Sequence, residues 1–234
     1  MKNLGAEYEN LDQKVYQVIK HMIEDRTLLP GQKIPQEKLA KELGVSRTPL
    51  ISALKFLEHE KLVEVKPRRG VFVRLFTTKE MIGIFEIREV LEGLAARRAA
   101  QCITDKECMT LSQIFDSFKD QEDITDILAY SRADRKFHTM ITKIASKEFL
   151  TTMLQTFNII SLAYQNVSRE GLIRHPNDTM EDHEALVEAI CSRDPEKAEN
   201  LMKTHFKKSI DILREQVDDE PINPKEKEVM LKLI

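Results

Sequence analysis

The chain has 234 residues, of which 41% are hydrophobic and 32% charged, and its formal net charge is −3. No run approaches the roughly 20 apolar residues that span a bilayer, no signal peptide is visible, and three cysteines (Cys102, Cys108, Cys191) lack paired metal spacing. A disulfide scaffold and a membrane protein are thereby excluded, and a cytoplasmic protein with reduced, packing cysteines is predicted. The length leaves room for one small domain and one larger domain with its own core. Scarce Gly, absent Trp and plentiful Leu and Met favour a mostly α chain.

The net charge hides an asymmetry. Residues 1–75 hold 14 Lys and Arg against 10 Asp and Glu, whereas residues 76–234 hold 22 against 29. A basic first third on an acidic remainder suits a nucleic-acid module joined to something else.

From Pro35 to Arg74 the chain reads as helix, turn, helix and β-hairpin. Gln36 to Leu43 forms the first helix, Gly44-Val45-Ser46 the turn, and Arg47 to Glu58 the second helix. A ribbon tipped by Pro67-Arg68-Arg69-Gly70 follows. This is the order of a winged helix-turn-helix, whose second helix enters a DNA major groove and whose wing passes a phosphate backbone or minor groove. A helical domain of this shape that binds protein instead is the alternative, and the charge asymmetry argues for DNA. Ser46 is placed to cap the second helix, and Pro49 is tolerated in its first turn. Leu50, Ala53, Leu54 and Leu57 fall on one face as its buried side. The opposite face carries Arg47, Thr48, Ile51, Ser52 and Lys55, with Arg47 and Thr48 at the tip that meets base edges. Ile51 either touches a thymine methyl or packs under the wing. Arg68, Arg69 and Gly70 complete the predicted DNA-binding set.

Beyond residue 76 only helical periodicity is found. Thr77 or Thr78 caps a helix to about 101, Thr104-Asp105-Lys106-Glu107 resembles a capping box opening the next, and further helices are predicted at about 123–145, 147–168, 177–192 and 195–216. Short connections between six helices predict an antiparallel six-helix bundle. The domains are thus 8–76 (winged helix), 77–217 (helical bundle) and 218–234, a linker and amphipathic tail.

Inside the bundle four polar residues fall on apolar stripes. Asp134 and His138 share one with Ile127, Ser131, Ile141 and Ala145; His183 shares one with Leu186, Val187 and Ile190; His205 shares one with Ala198, Leu201 and Ile212. Burying such groups is costly unless something pairs with them. Three imidazoles and one carboxylate suit Zn²⁺, Ni²⁺ or Mn²⁺ with positions left open for an anion. Each histidine taken alone reads better as a satisfied core residue. Arg88 stands one helical turn before Glu92, the spacing of a surface ion pair.

Pro30-Gly31-Gln32-Lys33-Ile34, Leu39-Ala40, Leu43-Gly44-Val45-Ser46-Arg47-Thr48-Pro49, Ala53-Leu54, Leu57-Glu58, Lys61-Leu62-Val63 and Arg69-Gly70-Val71-Phe72-Val73 resemble the DNA-binding domain of the GntR family of bacterial transcription regulators. Arg47 matches an arginine of that family that contacts DNA. The family usually has Arg-Glu where this chain has Ile51-Ser52. Asp134-Arg135-Lys136-Phe137-His138, Asp182-His183-Glu184-Ala185-Leu186 and Met202-Lys203-Thr204-His205 resemble the FadR-type (FCD) effector domain, and six helices rather than seven resemble its VanR-like branch. The resemblance implies a divalent metal on Asp134, His138, His183 and His205, a small organic acid beside it near Arg88, and a homodimer on a near-palindromic operator, as a repressor more often than an activator. Two rivals remain: a regulator whose bundle is only a dimerisation scaffold, and a metal-dependent hydrolase.

Overall fold

A computed structural model describes residues 11–146, 149–165 and 173–216. The predicted tail at 218–234 and the first part of the polar loop, 168–172, lie outside the described residues. The chain divides after Leu75 into two compact units.

The first unit contains α1 (Leu11–Glu24), α2 (Gln36–Glu42), α3 (Arg47–His59), β1 (Val63–Lys66) and β2 (Gly70–Val73). Val15, Ile19 and Ile23 of α1 are buried, as are Leu50, Ala53, Leu54 and Leu57 of α3, and the two helices pack on each other. Lys20 is buried as well. Its ammonium is matched by Glu60 at 2.8 Å, and the Tyr16 hydroxyl donates to the same carboxylate at 2.5 Å. A buried charge is tolerated when so paired, and this pairing ties α1 to the end of α3. β1 and β2 are antiparallel, with Val63 opposite Val73 and Lys66 opposite Gly70. The chain before α2 lies along β2, where the Ile34 amide donates to the Val71 carbonyl at 2.9 Å.

The start of α3 departs from the sequence expectation. Ser46 has the extended backbone of an N-cap, but its side chain caps nothing. Such a hydroxyl accepts from the second or third amide of the helix, and the third position is Pro49, which has none. The proline that α3 tolerates removes one of the two donors the cap needs.

The second unit contains α4 (Thr78–Cys102), α5 (Asp105–Ser112), α6 (Ile127–Ser146), α7 (Phe149–Gln165), α8 (Pro176–Cys191) and α9 (Pro195–Glu215). α4 is its axis and packs on α6, α7, α8 and α9. Ala95, Ala96, Ala99 and Ala100 are fully buried along it, so neighbouring backbones approach closely. Gly93 serves the same end, since a Cβ there would come within 3.0 Å of the Lys203 side chain on α9. Full capping boxes open α4 (Thr77 with Glu80) and α5 (Thr104 with Glu107). Proline occupies the first position of α8 and α9, where no amide partner is lost. α5 has only 8 residues. The turns after it bury Phe115 and Phe118. The fold is mostly α: a winged helix followed by a six-helix unit. Among the described residues no helix is long and apolar enough to cross a membrane.

Candidate nucleic-acid interface and metal centre

On the first unit, Arg47, Thr48, Ile51 and Lys55 are exposed on α3. Ile51 is 45% exposed, so it does not pack under the wing. Ser52 is not with them. It is half-buried and donates to Asp12 of α1 at 3.0 Å, because it sits toward the side of the helix that meets α1. The wing turns through Lys66–Arg69, closed by the Arg69 amide on the Lys66 carbonyl at 2.9 Å. Pro67 fixes φ at the second position and Arg68 takes φ of 61° at the third, the type II pattern. Gly70 follows at φ 110°, and a Cβ there would sit 3.0 Å from Lys33 Cε. That close approach draws Lys33 beside Arg68 and Arg69. An open groove of about 770 Å³ runs between α3 and the wing, with Lys33, Lys38, Arg47, Arg68 and Arg69 among its walls. Glu37, also lining it, pairs with Arg47. The arrangement offers phosphate-binding cations around an exposed helix tip.

On the second unit, Asp134 and His138 of α6, His183 of α8 and His205 of α9 come together. One ligand-type atom from each lies within 4.8 Å of all the others. Asp134 Oδ1 is 3.3 Å from His183 Nε2 and 3.7 Å from His138 Nε2. The other ring nitrogen of each histidine is engaged. His138 Nδ1 meets Glu92 of α4, His183 Nδ1 lies 3.1 Å from the Tyr130 hydroxyl, and His205 Nδ1 lies 3.3 Å from Asp182. Partners of this kind orient metal-ligating imidazoles.

The hydrogen-bond chain at His183 sets its tautomer. The Thr179 hydroxyl donates to the Pro176 carbonyl at 2.9 Å, and a carbonyl can only accept. Thr179 Oγ1 therefore accepts from the Tyr130 hydroxyl at 2.6 Å, and the Tyr130 oxygen accepts from His183 Nδ1–H. Nε2 is left as a bare lone pair. It is buried without a hydrogen-bond partner and faces a carboxylate. Two electron-rich groups so placed call for a cation between them, so the residues fit a divalent ion.

Burial lowers the His183 pKa and takes that of His205 to about 4, despite Asp182. Burial alone would raise the carboxyl of Glu92, but Arg88 and His138 outweigh it and hold it at about 2. Asp134 is likewise held down, chiefly by His138, against the effect of burial. The centre thus presents neutral His183 and His205 and an ionised Asp134 at neutral pH, the states a metal requires.

Beside the centre lies a cavity of about 30 Å³ lined by Arg88, Arg174, Tyr130, Asp134, His138 and His205 among others. Arg88 is not a surface residue. It is 6% exposed, its partner Glu92 is 1% exposed, and Nε donates to Glu92 at 2.7 Å. Arg88 lines the cavity and pairs with Glu92, and that pair is buried rather than on the surface. The periodicity did not single out Glu92, Asp182, Tyr130, Phe115 or Arg174. The Phe115 ring stacks on His183 at 4.6 Å, and Arg174 donates to Asp182 at 2.5 Å. A carboxylate one turn from an arginine carries no local sign that its other oxygen meets a histidine on another helix.

Residues 11–73 match the pattern of the bacterial regulatory proteins of the gntR family, and residues 83–208 match the FCD domain. The chain is 30% identical over 227 residues to the Uxu operon regulator of Haemophilus influenzae, covering 87% of this chain and 84% of that one. It is 26% identical over 206 residues to the gluconate operon transcriptional repressor of Bacillus licheniformis, covering 86% and 81%. Among solved structures, E. coli McbR/YncC aligns with a TM-score of 0.71 at 22% identity, over 88% of this chain and 98% of that one.

Proposed function

The chain belongs to the GntR family of bacterial regulatory proteins, its winged helix followed by an FCD domain, and we propose that it is a homodimeric repressor whose hold on a near-palindromic operator is set by a small carboxylate bound beside a divalent metal. It is a DNA-binding transcriptional regulator and not an enzyme. In our reading Arg47, Thr48, Ile51 and Lys55 enter the major groove, with Ser46 at the helix entrance and Arg68, Arg69 and Gly70 on the backbone or minor groove. Ser52, bonded to Asp12, seats the helix rather than touching DNA.

Asp134, His138, His183 and His205 hold the ion. Zn²⁺ suits three imidazoles and a carboxylate best, with Ni²⁺ or Mn²⁺ as alternatives. The ion supplies positive charge and open coordination positions for an anion, and Arg88 supplies a second cationic wall to the same cavity. The relative named for a gluconate operon is consistent with a carboxylate effector, gluconate being one. The six helices α4–α9 among the described residues agree with the VanR-like branch. For the dimer, Ile87, Val90 and Leu94 form an exposed apolar stripe on α4, at 45%, 62% and 37% exposure. A self-complementary stripe suits a two-fold partner, as a symmetric operator requires.

The observation that carries the metal reading is the bare, buried Nε2 of His183 facing Asp134. Metal analysis of the untagged protein beside its His138→Ala variant tests it. Near-stoichiometric metal, lost in the variant, is expected. No metal in either, with no thermal stabilisation by added Zn²⁺, Ni²⁺ or Mn²⁺, would leave the helical domain as a dimerisation scaffold.

A further inference from the structure

We propose that Glu92 couples the metal centre to the anion cavity, so that the ion and the cavity guanidinium are held interdependently; this rests on the metal reading above. Glu92 is among the most deeply buried ionisable groups of the second unit, at 1% exposure. Its two oxygens serve different partners. Oε1 accepts from Arg88 Nε at 2.7 Å, and Oε2 meets His138 Nδ1. The opposite nitrogen of that imidazole is the one turned to Asp134, 3.7 Å away.

Arg88 in turn packs against two aromatic rings. Its guanidinium carbon lies 4.6 Å from the Phe206 ring centre and 5.4 Å from that of Phe85. A rigid carboxylate therefore stands between a ligand imidazole and a cavity guanidinium, with little freedom at either end. The second cavity guanidinium is tied to the centre through a single oxygen, Asp182 Oδ2. Arg174 donates to Asp182 at 2.5 Å, and Asp182 lies 3.3 Å from His205 Nδ1. Each arginine that lines the cavity shares its carboxylate with a histidine of the centre.

An ion on His138 fixes the imidazole, the imidazole fixes Glu92, and Glu92 aims Arg88. Linkage is reciprocal, so to the extent that the ion tightens Arg88, a fixed Arg88 tightens the ion by the same coupling free energy. Arg88 offers no atom to the centre, which makes it the informative position.

The test titrates metal-free protein with Zn²⁺ against a chromophoric chelator, for wild type, Glu92→Gln, Arg88→Lys, the double variant and Asp134→Asn. Glu92→Gln is expected to weaken Zn²⁺ by roughly 10–100-fold, as loss of an outer partner does. Arg88→Lys keeps the charge but loses the Nε–H bond, and is expected to weaken Zn²⁺ by roughly fivefold in wild type and by less than about twofold in the Glu92→Gln background. Equal losses in both backgrounds, or Zn²⁺ affinity in Arg88→Lys equal to wild type, overturn the coupling. Should Glu92→Gln fail to fold, the comparison of Arg88→Lys with wild type still decides. Wild type binding Zn²⁺ no better than Asp134→Asn would remove the centre and the coupling together, which separates failure of the site from failure of the coupling alone.

Discussion

At the scale of single residues, His205 makes a prediction about acid. Burial takes its pKa to about 4 and lowers that of His183, while an unfolded chain protonates both near the usual 6.5. Between about pH 6.5 and 4 the unfolded state of the metal-free protein therefore binds more protons than the folded state. Stability must then fall as pH falls through that window, by the order of 3 kcal/mol for His205 alone. The carboxyls of Glu92, Asp134 and Asp182, all held low, extend the loss below pH 4 with the same sign. Urea melts of metal-free protein at pH 7.5, 6 and 5 read this directly, and His205→Asn should flatten the slope. A flat wild-type profile would mean the imidazoles are not buried as described. The four clustered residues were legible in the sequence because each interrupts an apolar helical stripe. Their supporting groups were not. Glu92 reads locally as the i+4 partner of Arg88, Asp182 as a polar neighbour of His183, and Tyr130 as core. Only the packing of α4, α6, α8 and α9 gives each its second contact.

At the scale of elements, α3 and the wing should fail differently when changed. Arg47 stands at the tip of α3 and in the free protein pairs with exposed Glu37, a contact that costs little to exchange. Arg47→Ala should cost about 1–3 kcal/mol on the preferred duplex and relax selectivity at one base pair. Arg69→Ala should weaken all duplexes alike and lower the slope of log affinity against log salt by about 1. Fluorescence anisotropy on a duplex selected by the wild-type protein from a random pool, on its single-base variants and at several salt concentrations, separates the two. Equal loss of selectivity in both variants would contradict the division of labour. These elements were readable because Gly44 and the Pro67–Gly70 turn punctuate them sharply and their buried faces keep one period. Two details escaped for physical reasons. Pro49 removes an amide that Ser46 would have capped, and α5 ends early because Phe115 and Phe118 are drawn into the core by turns.

At the scale of the whole molecule, the proposed regulation requires that one binding event inside each helical domain of a dimer reach two winged domains on one operator. A monomer has no second winged domain to position, so dimerisation is the step on which the regulatory reading stands. The α4 stripe gives it a physical form. Val90 is 62% exposed and Ile87 45% exposed, positions where a charge leaves the fold of the second unit undisturbed but would be desolvated against a second copy. Two copies on a two-fold operator bind the second half-site intramolecularly, which raises affinity by roughly 10²–10⁴ over a single winged domain. Val90→Glu should therefore give a monomer with an unchanged circular dichroism spectrum and unchanged Zn²⁺ affinity, since Val90 contributes nothing to the centre. Its affinity for a palindromic duplex should drop toward that for a half-site. Sedimentation velocity and duplex titration on the same sample decide the matter. A variant that remains dimeric would move the interface to another face of the molecule, and a monomer that still binds the full site as tightly as wild type would show that the two winged domains do not act as a pair.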